Sequence, residues 1–320
     1  MASNKELRRR IKSIRSTRQI TRAMELVSAA KMRKAQIAAL ASRTYAKLAW
    51  ELIQNLTPKI HPKLHRLLRR PEKVNKVGIL LITSNRGLIG GFNSNIINKA
   101  VEYASSPPAP LPTGEGGRRP GEGVEFITIG KKGRDAVRKR GFTIAAEFEK
   151  TDTLSGVAEF LPVARLLVKD FVEGVYDKVL VIYMDFVSTL VQKPHVRELL
   201  PFIPTADETL GAVGKVSNAP RPPLKVRGGE GGVIDYVFEP TPDEVVEKLL
   251  PRLTELQIYQ AYLETDAAEH SARMVAMKNA SDAARDLIDE LNLDYNKERQ
   301  AAITREISEI VAGKLALGQN

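Results

Sequence analysis

The chain has 320 residues, 43% of them hydrophobic, a formal net charge of +11 and no cysteine. That length accommodates one large domain or two ordinary ones. The missing thiols exclude disulfides, thiolate catalysis and cysteine-held metals, and point to a reducing compartment. The apolar runs, such as Val77 to Thr83 and Val179 to Met184, are strand-sized, far below the ~20 residues of a membrane span. The basic N-terminus is not followed by an apolar core, so it reads as mature protein rather than a secretory or transit signal. Any membrane association is expected to go through a partner.

The first proline is Pro58 and the first glycine Gly78. Nothing before Thr57 breaks a helix, and the stretch is rich in Ala, Lys, Arg, Leu, Met and Gln. A helix over 1–57 is predicted, with Ser3 as N-cap and Glu6 completing a capping box. About 50 helical residues reach roughly 75 Å. The candidate apolar seam is Leu7, Ile11, Ile14, Thr17, Thr21, Met24 and Val27, at the threes and fours a coiled coil needs.

From residue 74 to 205 the pattern becomes α/β. Val77 to Thr83 reads as a buried strand, Asn93 to Ala104 as a helix, Val124 to Ile129 as a second strand and Lys131 to Lys139 as a second helix. Val157 to Glu173 is helical, Lys178 to Phe186 is a third strand, and weaker strand material runs to Phe202. Strands alternating with helices predict a mainly parallel, Rossmann-like sheet with helices on its faces. A Pro/Gly-rich stretch, 105–123, interrupts this domain as a flexible insertion, and 206–240 reads as a loop and foot region.

The segment 241–320 returns to helix, with no glycine or proline from Arg252 to Ala312. Ala276, Ala280, Ala283, Leu287, Ile303, Ile307 and Ile310 are its seam candidates. Two helices of this length at opposite ends of one chain are expected to pair antiparallel as a slender coiled coil. The expected fold class is therefore α/β, a central Rossmann-like domain joined to a long antiparallel coiled coil.

The charge is lopsided. Residues 1–50 hold 13 Lys and Arg against Glu6 and Glu25, while the other 270 balance 36 basic against 36 acidic groups. Three readings stand side by side: a solvated helix face, a nucleic-acid-binding helix, or a helix lying inside an acidic or polar protein sleeve. A nucleic-acid-binding coiled-coil protein is the alternative function. Against it, the only aromatic residues in this stretch are Tyr45 and Trp50.

The turn Ser84 to Asn93 (SNRGLIGGFN) follows a strand and opens a helix, where phosphate loops sit. It has Phe92-Asn93 where a Walker loop needs Lys-Ser/Thr, and it lacks the Rossmann glycine spacing. A tight strand-to-helix connection is the reading. His61, His65, His195 and His270 show no metal-ligand or triad arrangement. No catalytic, cofactor-binding or metal residue is assigned.

Residues 11–35 (IKSIRSTRQITRAMELVSAAKMRKA) resemble the N-terminal signature of F-type ATP synthase gamma subunits, and the glycine turn resembles that family's central motif. The strongest match is C-terminal, where EHSARMVAMKNA (269–280), YNKERQAAIT (295–304) and EISEIV (306–311) are similar to the family's motifs. The resemblance covers essentially the whole chain in order. Asn85 stands where the family often has Asp, and Ile89 where it often has Cys; 105–123 looks like an insertion. The redox cysteine pair of chloroplast relatives is absent.

The resemblance implies a central rotary stalk with no chemistry of its own, coupling c-ring rotation to the catalytic sites of the beta subunits. Its implied partners are three alpha and three beta subunits, the epsilon subunit and the c-ring. Its implied place is peripheral, on the cytoplasmic side of a bacterial cell membrane, with proton as the default coupling ion. The implied partner-binding residues are Met24 and Arg273 against a mobile beta segment, and Arg299, Gln300 and Thr304 against a beta catch loop. Phe238 and Glu239, in the foot, would meet the c-ring.

Overall fold

The computed structural model describes residues 4–56, 66–69, 71, 74–105, 123–151, 156–202 and 241–317. Ser3, His61, His65, most of the 105–123 insertion, the 206–240 foot and with it Phe238 and Glu239 lie outside the described residues. Five helices are described: α1 (Asn4–Leu56), α2 (Phe92–Ser105), α3 (Lys131–Lys139), α4 (Leu161–Val172) and α5 (Pro242–Leu317). The strands are β1 (Val77–Ile82), β2 (Val124–Ile129), β3 (Thr143–Phe148), β4 (Lys178–Phe186) and β5 (Gln192–Leu200).

The chain divides into two compact units. Residues 30–272 form one, and residues 1–29 with 273–320 form the other. The division falls inside both α1 and α5.

In the larger unit the sheet order is β3-β2-β1-β4-β5. β1, β2, β3 and β4 pair in parallel, and β5 returns antiparallel on β4. β1 is buried at every position and β4 at seven of nine, as central strands covered on both faces must be. Their near-continuous aliphatic runs made them legible. β3 was not expected from the sequence. Thr-Ile-Ala-Ala-Glu-Phe mixes strand formers (Thr, Ile, Phe) with residues depleted in strands (Ala, Ala, Glu), and pairing with β2 at the sheet edge decides for strand.

β1 and β2 close tightly at their C-terminal ends. Thr83, fully buried, accepts a hydrogen bond from the Gly133 N–H at 2.8 Å, and its hydroxyl lies 3.2 Å from the Ile129 carbonyl oxygen. Gly130 adopts φ +99°, and a Cβ there would sit 2.3 Å from the Thr83 carbonyl oxygen. Only glycine fits both the backbone and the space. The turn expected to be a tight connection is one. The Ser84 N–H donates to Asn93 Oδ1 (3.4 Å), Asn93 Nδ2 donates to Ser84 Oγ (2.8 Å), and the Phe92 N–H donates to the Ile89 carbonyl (3.3 Å).

α5 starts ten residues before the glycine- and proline-free stretch. Thr241 caps it, with Oγ1 accepting from the Glu244 N–H at 3.3 Å, and Pro242 occupies the first helical position. Pro251 lies inside the helix, where its missing N–H costs one intrahelical bond.

Between Leu253 and Ser271, α5 is buried almost without interruption. Leu253, Gln257, Gln260, Glu264 and Ala267 recur at fours and threes, as one seam does. There the Ser42 hydroxyl donates to Gln260 Oε1 at 2.5 Å, beside fully buried Ala35 and Ala39 of α1. Tyr262, Thr265, Asp266 and Glu269 form a second stripe. It docks on the sheet, where Thr265 Oγ1 accepts from the β4 Met184 N–H at 3.2 Å.

In the smaller unit, α1 and α5 run antiparallel. Arg8 donates to the Tyr295 hydroxyl at 2.7 Å, while Arg15 to Leu26 share a groove with Ser281 to Arg285. The buried seam is Leu7, Ile11 and Ser28 on α1, and Met277, Ser281, Ala284 and Ile288 on α5. This corrects the expected seam. Thr17, Val27, Ala283, Leu287, Ile303, Ile307 and Ile310 are exposed, Val27 at 56% and Ile310 at 70%. One residue of slip turns a helix by about 100°, so Leu287 and Ile288 sit on different faces although either would satisfy the pattern.

Candidate functional site

The sequence-predicted residues fall into three groups. Met24 is half-buried on α1, and Arg273 is half-buried at the start of the α5 segment in the smaller unit. Arg299, Gln300 and Thr304 are exposed on successive turns of α5. The Thr304 hydroxyl donates to the Gln300 carbonyl at 3.0 Å, so it is turned back onto its own helix rather than held by another element. Phe238 and Glu239 lie outside the described residues.

Arg22 and Ala23, next to Met24 in the chain, belong to an open groove of about 770 Å³ between the two helices, lined also by Arg15, Arg18 and Arg285 with Gln19 and Asp282. Arg22 pairs with Glu25 at 2.7 Å, and Arg285 lies 3.9 Å from Asp282. The excess of arginine gives this face a positive potential that attracts acidic surfaces. The lopsided N-terminal charge is thus displayed on an exposed face.

The Arg8–Tyr295 contact, supplemented by the guanidinium lying 5.4 Å from the Tyr295 ring centre, sits one turn from the first described residue of α1. Beyond it α5 runs on to Leu317. Every described side chain from Ile303 onward is exposed. Ile303, Ile307, Ile310 and Val311 are 48–70% exposed, and their three-to-four spacing places them on one stripe of the helix. The stripe groups exposed apolar side chains on one face, which makes it a candidate partner surface.

A second cluster, in the larger unit, was not singled out in the sequence. Lys150, 7% exposed, lies 2.5 Å from Glu269 Oε2 and 3.1 Å from Asp266 Oδ1. Its ammonium stands 5.2 Å from the Tyr262 ring centre. His270 Nε2 is 3.6 Å from Asp266 Oδ1. Burial pushes the Lys150 ammonium down, but the charges of Glu269 and Asp266 outweigh it and hold its pKa above the ordinary lysine value. Burial likewise pushes the Tyr262 phenol up to about 12. The signal was faint: Asp266, Glu269 and His270 share a helix, but Lys150 lies 119 residues from Glu269. Among the described residues, no group of three His, Cys, Asp or Glu could hold a metal ion, and no helix is long and apolar enough to cross a membrane.

The profile of the ATP synthase family matches residues 3–317. The ATP synthase gamma chain of Chloroflexus aurantiacus is 40% identical over 319 residues, covering 99% of both chains. That of Pelotomaculum thermopropionicum is 41% identical over 319 residues, covering 99% of this chain and 100% of the relative. The chain belongs to the ATP synthase gamma family. At 36% identity over 317 residues, the gamma chain of Legionella pneumophila extends the match to a more distant bacterium.

Among solved structures, a chain of the Euglena gracilis mitochondrial ATP synthase (OSCP, F1 and c-ring, rotational state 3) superposes with a TM-score of 0.62. It is 17% identical and covers 98% of this chain and 94% of that one. A chain from the rotor of the same enzyme gives 0.59 at 19% identity. At these identities the likeness is one of fold. Nothing in the comparisons supports the nucleic-acid reading of the basic helix. Membership makes the chain a subunit of a membrane-associated rotary enzyme.

Proposed function

We propose that the chain is the central rotary stalk of an F-type ATP synthase and carries no catalytic site itself. The observation that carries this reading is the exposed, apolar-striped end of α5 on a chain collinear with bacterial gamma chains. Such an end is suited to turning inside a sleeve built by other subunits. The paired helices stand within the ring of three alpha and three beta subunits. The α/β domain meets the epsilon subunit, and the foot, with Phe238 and Glu239, meets the c-ring. ATP is made or hydrolysed on the beta subunits. The complex sits on the cytoplasmic side of the membrane, and this subunit is peripheral.

The roles divide accordingly. Met24 and Arg273 face a moving beta segment. The arginine groove beside Met24 biases the shaft toward whichever acidic surface the ring presents, which makes the three sites inequivalent at any angle. Arg299, Gln300 and Thr304, exposed on α5, engage a beta loop. The small seam residues Ser28, Ser281 and Ala284 keep the pair slender.

The test is reconstitution with purified alpha and beta subunits. A complex holding one copy of this chain, hydrolysing ATP continuously and rotating an attached bead, is the expected result. A chain that stays apart from a competent alpha–beta mixture overturns the reading.

A further inference from the structure

We infer that Lys150 is a positioning residue: through Asp266 and Glu269 it sets the rotational angle of α5 on the sheet and so forms a torsional clasp between the α/β domain and the stalk helix. The inference rests on the rotary reading and adds to it the point at which torque passes from one element to another.

Three observations converge on it. First, Lys150 lies two residues after the end of β3 and is itself anchored. Its carbonyl accepts from Asn85 Nδ2 at 2.6 Å, and Asn85 Oδ1 accepts from the Lys131 N–H at 3.2 Å. The lysine backbone is therefore tied both to the turn after β1 and to the start of α3. Second, its ammonium grips two carboxylates that lie three residues apart on α5, at 3.1 and 2.5 Å. Both carboxylates lie off the helix axis on one face and converge on one ammonium, so rotation of the helix about its axis draws both away from it, and two contacts resist that rotation more than one. Third, the flanking contacts are of a different kind. Tyr262 donates to the Thr151 carbonyl at 3.2 Å and packs its ring 4.4 Å from Phe160, and Ser271 donates to the Thr189 carbonyl at 2.8 Å. A neutral hydrogen bond or a ring contact yields to small displacements, whereas a buried ammonium between two carboxylates loses its compensation as soon as the helix turns.

A buried ion cluster is poor value as a stabiliser, since apolar residues of similar volume serve as well or better. Its use is geometric: it admits one angle. A stalk helix that slips in its seat would waste part of each rotary step as twist.

The test uses the absence of native cysteine. Lys139→Cys, exposed at the end of α3, carries a bead in the reconstituted complex with alpha and beta subunits fixed to a surface. The angular spread of the bead during catalytic pauses measures torsional stiffness between the α/β domain and the gripped helix. Lys150→Met is expected to broaden that spread relative to the Lys139→Cys parent, and Glu269→Gln to broaden it less, because one carboxylate contact remains. A loss of melting temperature alone would leave the spread unchanged, so the readout separates positioning from mere stability. Unchanged spread in both variants overturns the clasp. If Lys150→Met does not assemble, Glu269→Gln decides alone: broadening upholds the inference and an unaltered spread overturns it. A parent complex that never rotates would instead refute the rotary reading.

Discussion

Replacing Gly133 by alanine is expected to destabilise the α/β domain, against the usual rule for a glycine inside a helix. Alanine there gains up to about 1 kcal/mol of helix propensity. The new methyl, however, would stand 2.7 Å from Thr83 Oγ1 and 2.8 Å from Thr83 Cγ2, closer than real contacts allow. Thr83 is fully buried and its hydroxyl caps the Gly133 N–H at 2.8 Å, so it has nowhere to go without breaking that bond. Overpacking of this kind costs about 1–3 kcal/mol, and the net expectation is a loss of about 1–2 kcal/mol. Hydrogen exchange of the β1 and β2 amides is the assay, because it reports opening of the sheet free of the signal from the long helices. The decisive comparison is the same substitution in a Thr83→Ala background. There the obstacle is gone and Gly133→Ala should be neutral or stabilising, a coupling of about 1–3 kcal/mol. An equal cost in both backgrounds would refute the steric argument.

Met24→Lys, beside the arginine groove, should impair coupling by adding a charge that pairs with acidic groups of the sleeve; normal ATP-driven proton pumping by the variant would count against it. Ile307→Gln with Ile310→Gln should change the stability of the isolated chain by less than about 0.5 kcal/mol, since both residues are exposed. The same pair should weaken retention in the alpha–beta complex, read by gel filtration; unaltered retention would show that the stripe is not a partner surface. Lys150→Met should cost about 3–5 kcal/mol at neutral pH by removing the buried ammonium that both Asp266 and Glu269 face. The lysine's folded pKa is raised, so its contribution is full below the unfolded value of about 10.4 and is lost as pH rises through the higher folded value. The gap in urea midpoint between wild type and variant should therefore hold steady up to about pH 10 and narrow only above it; a gap that closes at neutral pH would contradict the assignment.

What the sequence determined by itself was whatever depended on long, unambiguous signals. Fifty-odd residues without glycine or proline, rich in Ala, Lys, Arg, Leu, Met and Gln, favour one continuous helix, and the aliphatic runs of β1 and β4 suit a covered sheet. The terminal motifs carried the family, and with it the proposed roles of Met24, Arg273, Arg299, Gln300 and Thr304. The tertiary structure decided matters in which neighbouring stripes or distant segments compete. With seams of Ala, Ser and Thr, burial at Leu287 or Ile288 differs little in pattern, and only the facing helix selects Ile288. Thr143 to Phe148 is ambiguous by residue preference, and the edge that β2 offers decides for a strand. The polar stretch from Thr254 to Ser271 would read as solvent-facing in isolation, yet it is buried on two sides, against α1 and against the sheet. The Lys150 cluster follows from the same cause. Burial of a charge is affordable only where its partners arrive together, and folding alone brings residue 150 to residues 266 and 269.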